Sequence, residues 1–429
     1  MRDHSGQTLT AASADAVAAY ETFLDAYGRF SPTVPDALKA TLEADPEMPL
    51  AWCARGALMM LSGKGELRAV AQASAAKARA LAAGATPREQ AHAAALTAWV
   101  NHDEPKARAE WDAILKDHPH DFFALKLSQF SHFYAGGGAP MRAVMDALAP
   151  QWSESTARYS KFLGIHAFAL EENGAYAQAQ ALGRQAVALD ADDPWAIHAV
   201  AHCLEMEGRP AEGAAWIDGQ GPHWADAGTM TGHLAWHRAL FALEAEGPEA
   251  VLADFADRYQ VGDSEEYLDL CNDIALLQRL ALRGLAVKPA FEAVAERLTP
   301  RLGEHMLAFC DAHWVLGLAA AGRFEAAESV LAGLRARGAQ DDPDAAPYRE
   351  LAVPLGEACL AFHRRAYGAC WQGIQALLPS LHRLGGSHAQ RDLFVQLMLA
   401  AAARDGDHHP FAELIRRRQA TGHFVPEAA

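Results

Sequence analysis

The stretch LEENGAYAQAQALGRQAVALDADDPWA, residues 170–196, constrains the fold of this chain more than any other segment. A helical run ends at a turn glycine, an aromatic residue follows, small residues recur at helix-packing intervals, and Asp and Pro close the unit. Gly174 and Gly208 stand 34 residues apart, a length that accommodates two short helices and two turns. The pattern returns in AAGRFEAAESVLAGL, residues 320–334, with looser copies at Gly247 and Gly284. Pro46, Pro119 and Pro194 mark similar turns at about twice that period, so the pattern runs through nearly the whole chain. A hairpin of two short helices cannot bury its own apolar stripe and must stack on its neighbours. No strand pattern competes: Val and Ile are sparse, and no run alternates apolar and polar residues for long. Helix starts are explicit in TPRE, where Thr86 caps, Pro87 opens and Glu89 closes a capping box, and in SHAQ, where Ser387 and Gln390 do the same.

The repeating unit resembles the tetratricopeptide repeat, which implies an all-α fold: a right-handed superhelical α-solenoid of helical hairpins. Residues 1–429 read as a single extended solenoid domain, with the clearest repeats at 160–247 and 308–334 and a flexible stretch of about 15 residues at the start. The segment RARGAQDDPDAAP, residues 335–347, reads as an exposed connection and not as a domain boundary.

Composition narrows the function classes. A chain of 429 residues that is 51% hydrophobic has ample material for a core, which argues against disorder. The net charge of −17 and the lack of a basic stripe argue against nucleic acid as a partner. No apolar run reaches the length of a membrane span and the start lacks a secretory h-region, so the reading is no membrane and, by default, a cytoplasmic protein. The six cysteines are scattered through apolar helical patterns without a CxxC pair and read as reduced core thiols.

Within this frame AIHAVAHCLEMEG, residues 196–208, places His198, His202 and Glu205 on one helical stripe. With Gly208 as the turn residue, the three fall where tetratricopeptide repeats face their concave groove. The next copy, GHLAWHRALFALEAEG, puts His237, Phe241 and Glu244 in the same register, with His233 one turn earlier. Adjacent inner helices would then bring imidazoles together. His202, His237 and Glu205 are accordingly the expected catalytic residues, and His202 and His237 are expected to line one common cavity that Asp311 or Arg391 also faces. Each residue taken alone is as readily a plain structural or surface residue in a chain with 20 histidines.

Two chemistries suit such a cluster. Histidines four apart can share a metal ion, but the zincin pattern needs Glu directly after the first His, and Ala199 stands there. The metal reading is therefore the weaker one. No metal ligand is assigned and the cofactor stays unknown. The favoured reading uses the imidazoles as acid, base and hydrogen-bond donors around a small polar ligand. Further ligand-binding candidates interrupt apolar helices: Asn272 and Asp273 in one, Asp311 and His313 in another. Arg391 and Asp392 follow the capped start at Ser387, though they could simply pair with each other. The glycines of YAGGGAP, residues 134–140, match no nucleotide fingerprint.

The blocks HPHDFFALKLSQFSHFY, PWAIHAVAHCLEMEG, GHLAWHRALF, NDIALLQRL, DAHWVLGL and GGSHAQRD, in that order over about residues 40–400, resemble the tetratricopeptide-repeat protein 38 family. The resemblance implies a helical-repeat fold in an intracellular protein and brings no settled activity. The expected function is thus a His/Glu/Asp-lined concave pocket for a small polar ligand, with hydrolase- or lyase-type acid/base chemistry. The alternative is an interaction scaffold that holds a peptide or partner helix in its groove. A carboxylate clamp of that kind needs Lys, Arg and Asn on the inner wall, whereas the positions read here are His, Glu and Phe.

Overall fold

The structure is a computed structural model that describes residues 1–407 and 409–426. It is 75% helix, and among the described residues no strand forms; a lone antiparallel bridge joins Arg2 to Thr8. The helices pack as sequence neighbours, as short loops require. Ala14–Gly28 packs on Val34–Ala44, Pro49–Leu61 on Arg68–Ala82, Pro87–Val100 on Glu104–Asp117, and Tyr159–Glu171 on Tyr176–Leu189. Farther along, Tyr267–Leu282 packs on Lys288–Leu298, Ala308–Ala320 on Phe324–Gly338, and Val353–His363 on Tyr367–Leu377, which in turn meets His388–Asp405.

The local signals act as the residues dictate. Thr86 accepts from the Glu89 N–H while the Glu89 carboxylate accepts from the Thr86 N–H, and Ser387 and Gln390 form the second reciprocal box. The turn glycines Gly174 and Gly208 have φ of 73° and 65°, left-handed geometry in which a Cβ is strained, so each ends its helix. None of the six cysteines forms a disulfide, and all six are buried. Among the described residues no helix is long and apolar enough to cross a membrane.

The chain divides into two compact units. The first comprises Met1–Val200, Pro222–Met230 and Asp342–Asp344; the second comprises Ala201–Gly221, Thr231–Asp341 and Ala345–Ala429. In the first, the opening residues are tied down: Met1 N donates to Leu9 O at 2.9 Å, and the Thr10 N–H donates to Glu89 at 2.8 Å. The core of the second runs through Trp236, Ile274, Leu277, Val315, Leu355 and Phe394, all nearly inaccessible to water. Each such side chain contributes about 1.5–3 kcal/mol by burial.

One close approach sets the position of a site residue. Gly213, in the helix Pro210–Gly219, lies against the Phe241 ring, where a Cβ would collide with the ring carbons. Gly213→Ala is expected to lower stability by about 1–3 kcal/mol through overpacking, although alanine is the better helix former. A thermal unfolding midpoint at or above that of the wild type would show that Phe241 is not held there by contact.

Candidate functional site

Two helices supply the histidines. Pro194–Met206 carries His198 and His202 one turn apart, and Thr229–Ala245 carries His233, His237 and Phe241 at successive turns. Their flanks are apolar and close-packed: Ile197, Val200 and Leu204 on one, Leu234 and Leu240 on the other. The stripes therefore face packed protein. His202 and His237 have no measurable exposure and His233 only 5%. The register identifies the correct stripe; the environment follows from what packs over it.

In the second unit three imidazoles meet. The His202 and His237 ring centroids are 4.5 Å apart with the planes at 61°, and those of His233 and His237 are 4.9 Å apart at 80°. One nitrogen of each ring lies within 4.8 Å of the others. His198, on the preceding turn of the same helix, is buried and belongs to the first unit. Trp236 flanks the cluster, stacked on His233 at 5.4 Å.

Side-chain oxygens hold two of the rings. His237 Nδ1 donates to Glu205 Oε2 at 3.3 Å, and His233 Nδ1 faces Asn272 Oδ1 at 3.4 Å. Burial keeps the imidazoles neutral. It lowers His237 to about 3, with the Arg279 charge adding to the effect, and it holds His202 and His233 well below the usual range, where neighbouring imidazoles oppose a second charge. The charges of His388 and Arg391 also bear on His202. Burial pushes Glu205 up to about 7; the Arg279 charge opposes this and that of Asp392 reinforces it.

Glu205 also reaches the far side of the cluster. It lines a cavity of about 50 Å³ together with Phe241, Arg279, Asp392, Gln396 and Arg418, and Gly422–Phe424 form its outer wall. Arg279 is buried in the middle of Tyr267–Leu282 and donates to Ala389 O at 2.7 Å and Ala275 O at 3.2 Å. Arg418 forks onto both oxygens of Asp392 and donates to Phe424 O at 2.9 Å. Burial would raise Asp392, but the charges of Arg418 and Arg279 outweigh it and bring the carboxyl to about 2. The Gln396 amide donates to Asp392 at 2.7 Å, while its Oε1 is buried with no hydrogen-bond partner among the described residues.

The expected site residues thus separate into two groups. His202, His233, His237 and Glu205 converge, and Phe241 and Asp392 join Glu205 at the cavity wall. This cavity is lined neither by His202 nor by His237. Asp311 turns away and accepts from His305 at 3.0 Å. Asp273 pairs with Arg297 at 2.6 Å, and burial, opposed by that pair, leaves its carboxyl at about 6. His313 donates to the Phe309 carbonyl at 2.9 Å and packs on Phe394. Arg391 donates to the Gly386 carbonyl and Asp392 belongs to Arg418, so the mutual Arg391–Asp392 pair does not form. Each of these groups has a local partner, as polar interruptions of apolar helices require, although Asp311 Oδ2 is buried with no hydrogen-bond partner among the described residues.

Sequence reasoning passed over Arg279, Gln396 and Arg418. Arg279 carried a readable signal, a lone arginine inside IALLQRLAL, where a buried charge needs partners. Arg418 did not, because it sits in the run IRRRQA, which looks like a solvated face. No family model matches the chain.

Proposed function

We propose that the second unit binds a small polar ligand in the cavity beside Glu205, and that the chain acts on it by acid/base-assisted hydrolysis or elimination. The observation that carries this reading is the position of Glu205, on the cavity wall and at the same time hydrogen-bonded to His237. A carboxylate so oriented can exchange a proton with an occupant. Glu205 takes the catalytic role, held by its hydrogen bond to His237, against which His202 packs; Phe241, Asp392, Arg279 and Gln396 take the binding roles.

The cavity bounds the ligand. A water needs about 10–15 Å³ of such volume, so about 50 Å³ accepts a molecule of a few non-hydrogen atoms. Its charged lining balances, with Arg209, Arg279 and Arg418 against Glu205, Glu244 and Asp392, which favours a neutral or zwitterionic occupant. Gln396 Oε1 asks that occupant for a hydrogen-bond donor. Amides, ureas and small amino acids meet these conditions.

Ligand-detected NMR with urea, acetamide and glycine as probes tests the reading. At least one is expected to bind saturably, and Gln396→Leu is expected to weaken it about tenfold or more by leaving its donor unmet. Binding by none of the three, or binding that Gln396→Leu and Glu205→Gln both leave unchanged, sinks the pocket.

The helical hairpins are proposed to be tetratricopeptide-like repeats of the tetratricopeptide-repeat protein 38 kind, stacked as an α-solenoid. Supporting this are the pairwise packing of sequence neighbours and the left-handed glycines at Gly174, Gly208, Gly247, Gly284 and Gly322.

A further inference from the structure

We propose that His202, His233 and His237 form a binding site for one divalent transition-metal ion of the borderline kind represented by zinc and cobalt. This site does not depend on whether the neighbouring cavity takes a ligand.

Three observations carry it together. First, the ring nitrogens gather within 4.8 Å of one another from two helices. Tetrahedral ligation at a zinc–nitrogen length of about 2.0–2.1 Å places nitrogens about 3.4 Å apart. The difference is at most about 1.4 Å, within the reach of rotations about the side-chain bonds. Second, two of the rings are already held at the nitrogen that would not bind the ion. Glu205 takes Nδ1 of His237 at 3.3 Å and Asn272 faces Nδ1 of His233 at 3.4 Å. An oxygen on the far nitrogen is how metal-binding histidines are fixed in tautomer and direction. Third, the site is walled off from water, since none of the three residues is more than 5% exposed.

Packing alone gives no reason for this arrangement. Apolar side chains of similar volume would fill the same space without the cost of burying polar rings. The donor set also selects the ion. Three neutral nitrogens suit zinc, cobalt, nickel or copper, whereas magnesium and calcium require oxygens.

The full-length protein, stripped with a chelator, is to be titrated with Co²⁺. One equivalent is expected to saturate, with the visible bands of a low-coordinate, nitrogen-ligated ion. Zn²⁺ should erase those bands, and either metal should raise the unfolding temperature. His202→Gln and His237→Gln are each expected to weaken binding by about 100-fold or more, and Glu205→Gln by about tenfold through a less well-held His237. The exposed His223→Gln should change nothing, which separates this site from surface histidines. The proposal is overturned if the wild type shows neither the bands nor the rise in unfolding temperature, an arm that needs no variant to fold. It is equally overturned if His202→Gln, with native helix content, binds Co²⁺ as the wild type does. Gln396→Leu separates this inference from the ligand pocket, because it should weaken probe binding about tenfold or more and leave the Co²⁺ bands intact.

Discussion

Asp121→Asn is expected to destabilise the first unit by about 3–5 kcal/mol, the cost of removing one partner from a buried ion pair. Asp121 caps the helix Phe122–Tyr134 by accepting from the Ala124 N–H at 2.8 Å, and it also receives Arg88 at 2.7 Å and His92 at 3.0 Å. Asparagine keeps the cap, because its side-chain oxygen accepts the same hydrogen bond. What disappears is the charge opposite Arg88, which is 5% exposed and retains Asp3 at 3.4 Å and the Thr8 carbonyl at 3.1 Å. Burial alone would raise the Asp121 carboxyl. The charges of His92 and Arg88, with hydrogen bonds from His92 and Ala124, outweigh it and hold the group far below the ordinary carboxylate range. A carboxyl lowered on folding contributes stability that is fully present above its unfolded value of about 3.9 and is lost as pH falls below it. Urea unfolding at neutral pH and again in acid checks both parts: the variant should be weaker at neutral pH and should lose less on acidification. A variant within about 1 kcal/mol of the wild type would mean that Arg88 finds its countercharge elsewhere.

Lys126→Met is expected to act in the opposite direction and stabilise the protein at neutral pH. Lys126 lies inside the first unit at 2% exposure, with its ammonium 4.1 Å from the Phe30 ring centre, 4.6 Å from Phe130, 5.3 Å from Trp195 and 5.5 Å from Tyr27. Each ring attracts a cation by about 0.5–2 kcal/mol. Burial nevertheless wins: it lowers the amine to about 7, with the Asp193 charge opposing and the Lys161 charge adding to the effect. Asp193 is itself engaged with Lys161 at 3.4 Å. The sign follows from the proton count. Between the folded value and the unfolded one of about 10.4, the unfolded chain holds a proton that the folded chain lacks. Stability therefore rises with pH across that window, by an amount on the order of 4 kcal/mol. Methionine fills a similar volume, keeps favourable contacts with the rings and removes the titration. Its advantage should be largest near pH 7 and should vanish above about pH 10.5. Unfolding measured at pH 7, 8.5 and 10 decides the matter; a variant that is less stable at all three would mean that the four rings outweigh desolvation.

Local order was legible in the sequence wherever a residue acts through its own backbone or its near neighbours. The capping boxes at Thr86 and Ser387 and the left-handed glycines at 174 and 208 follow from hydrogen-bonding capacity and the absence of a Cβ, which need no distant partner. The meeting of His202 with His237 was legible for a related reason: helical spacing defines a stripe, and the hairpin period puts the next stripe beside it.

Which polar groups find each other across the fold was decided only by the tertiary structure. Asp311 and Asp273 interrupt their helices in the same way as His202 does, yet one is taken by His305 and the other by Arg297. Arg279, unremarked in its apolar run, reaches the cavity, and Arg418 leaves its basic run to hold Asp392. The Glu205 carboxyl at about 7 and the amine of Lys126 at the same value are likewise set by what surrounds them. Periodicity records the face a side chain takes on its own helix. Burial and charge pairing are sums over atoms hundreds of residues away in the chain, so they exist only once the helices have packed.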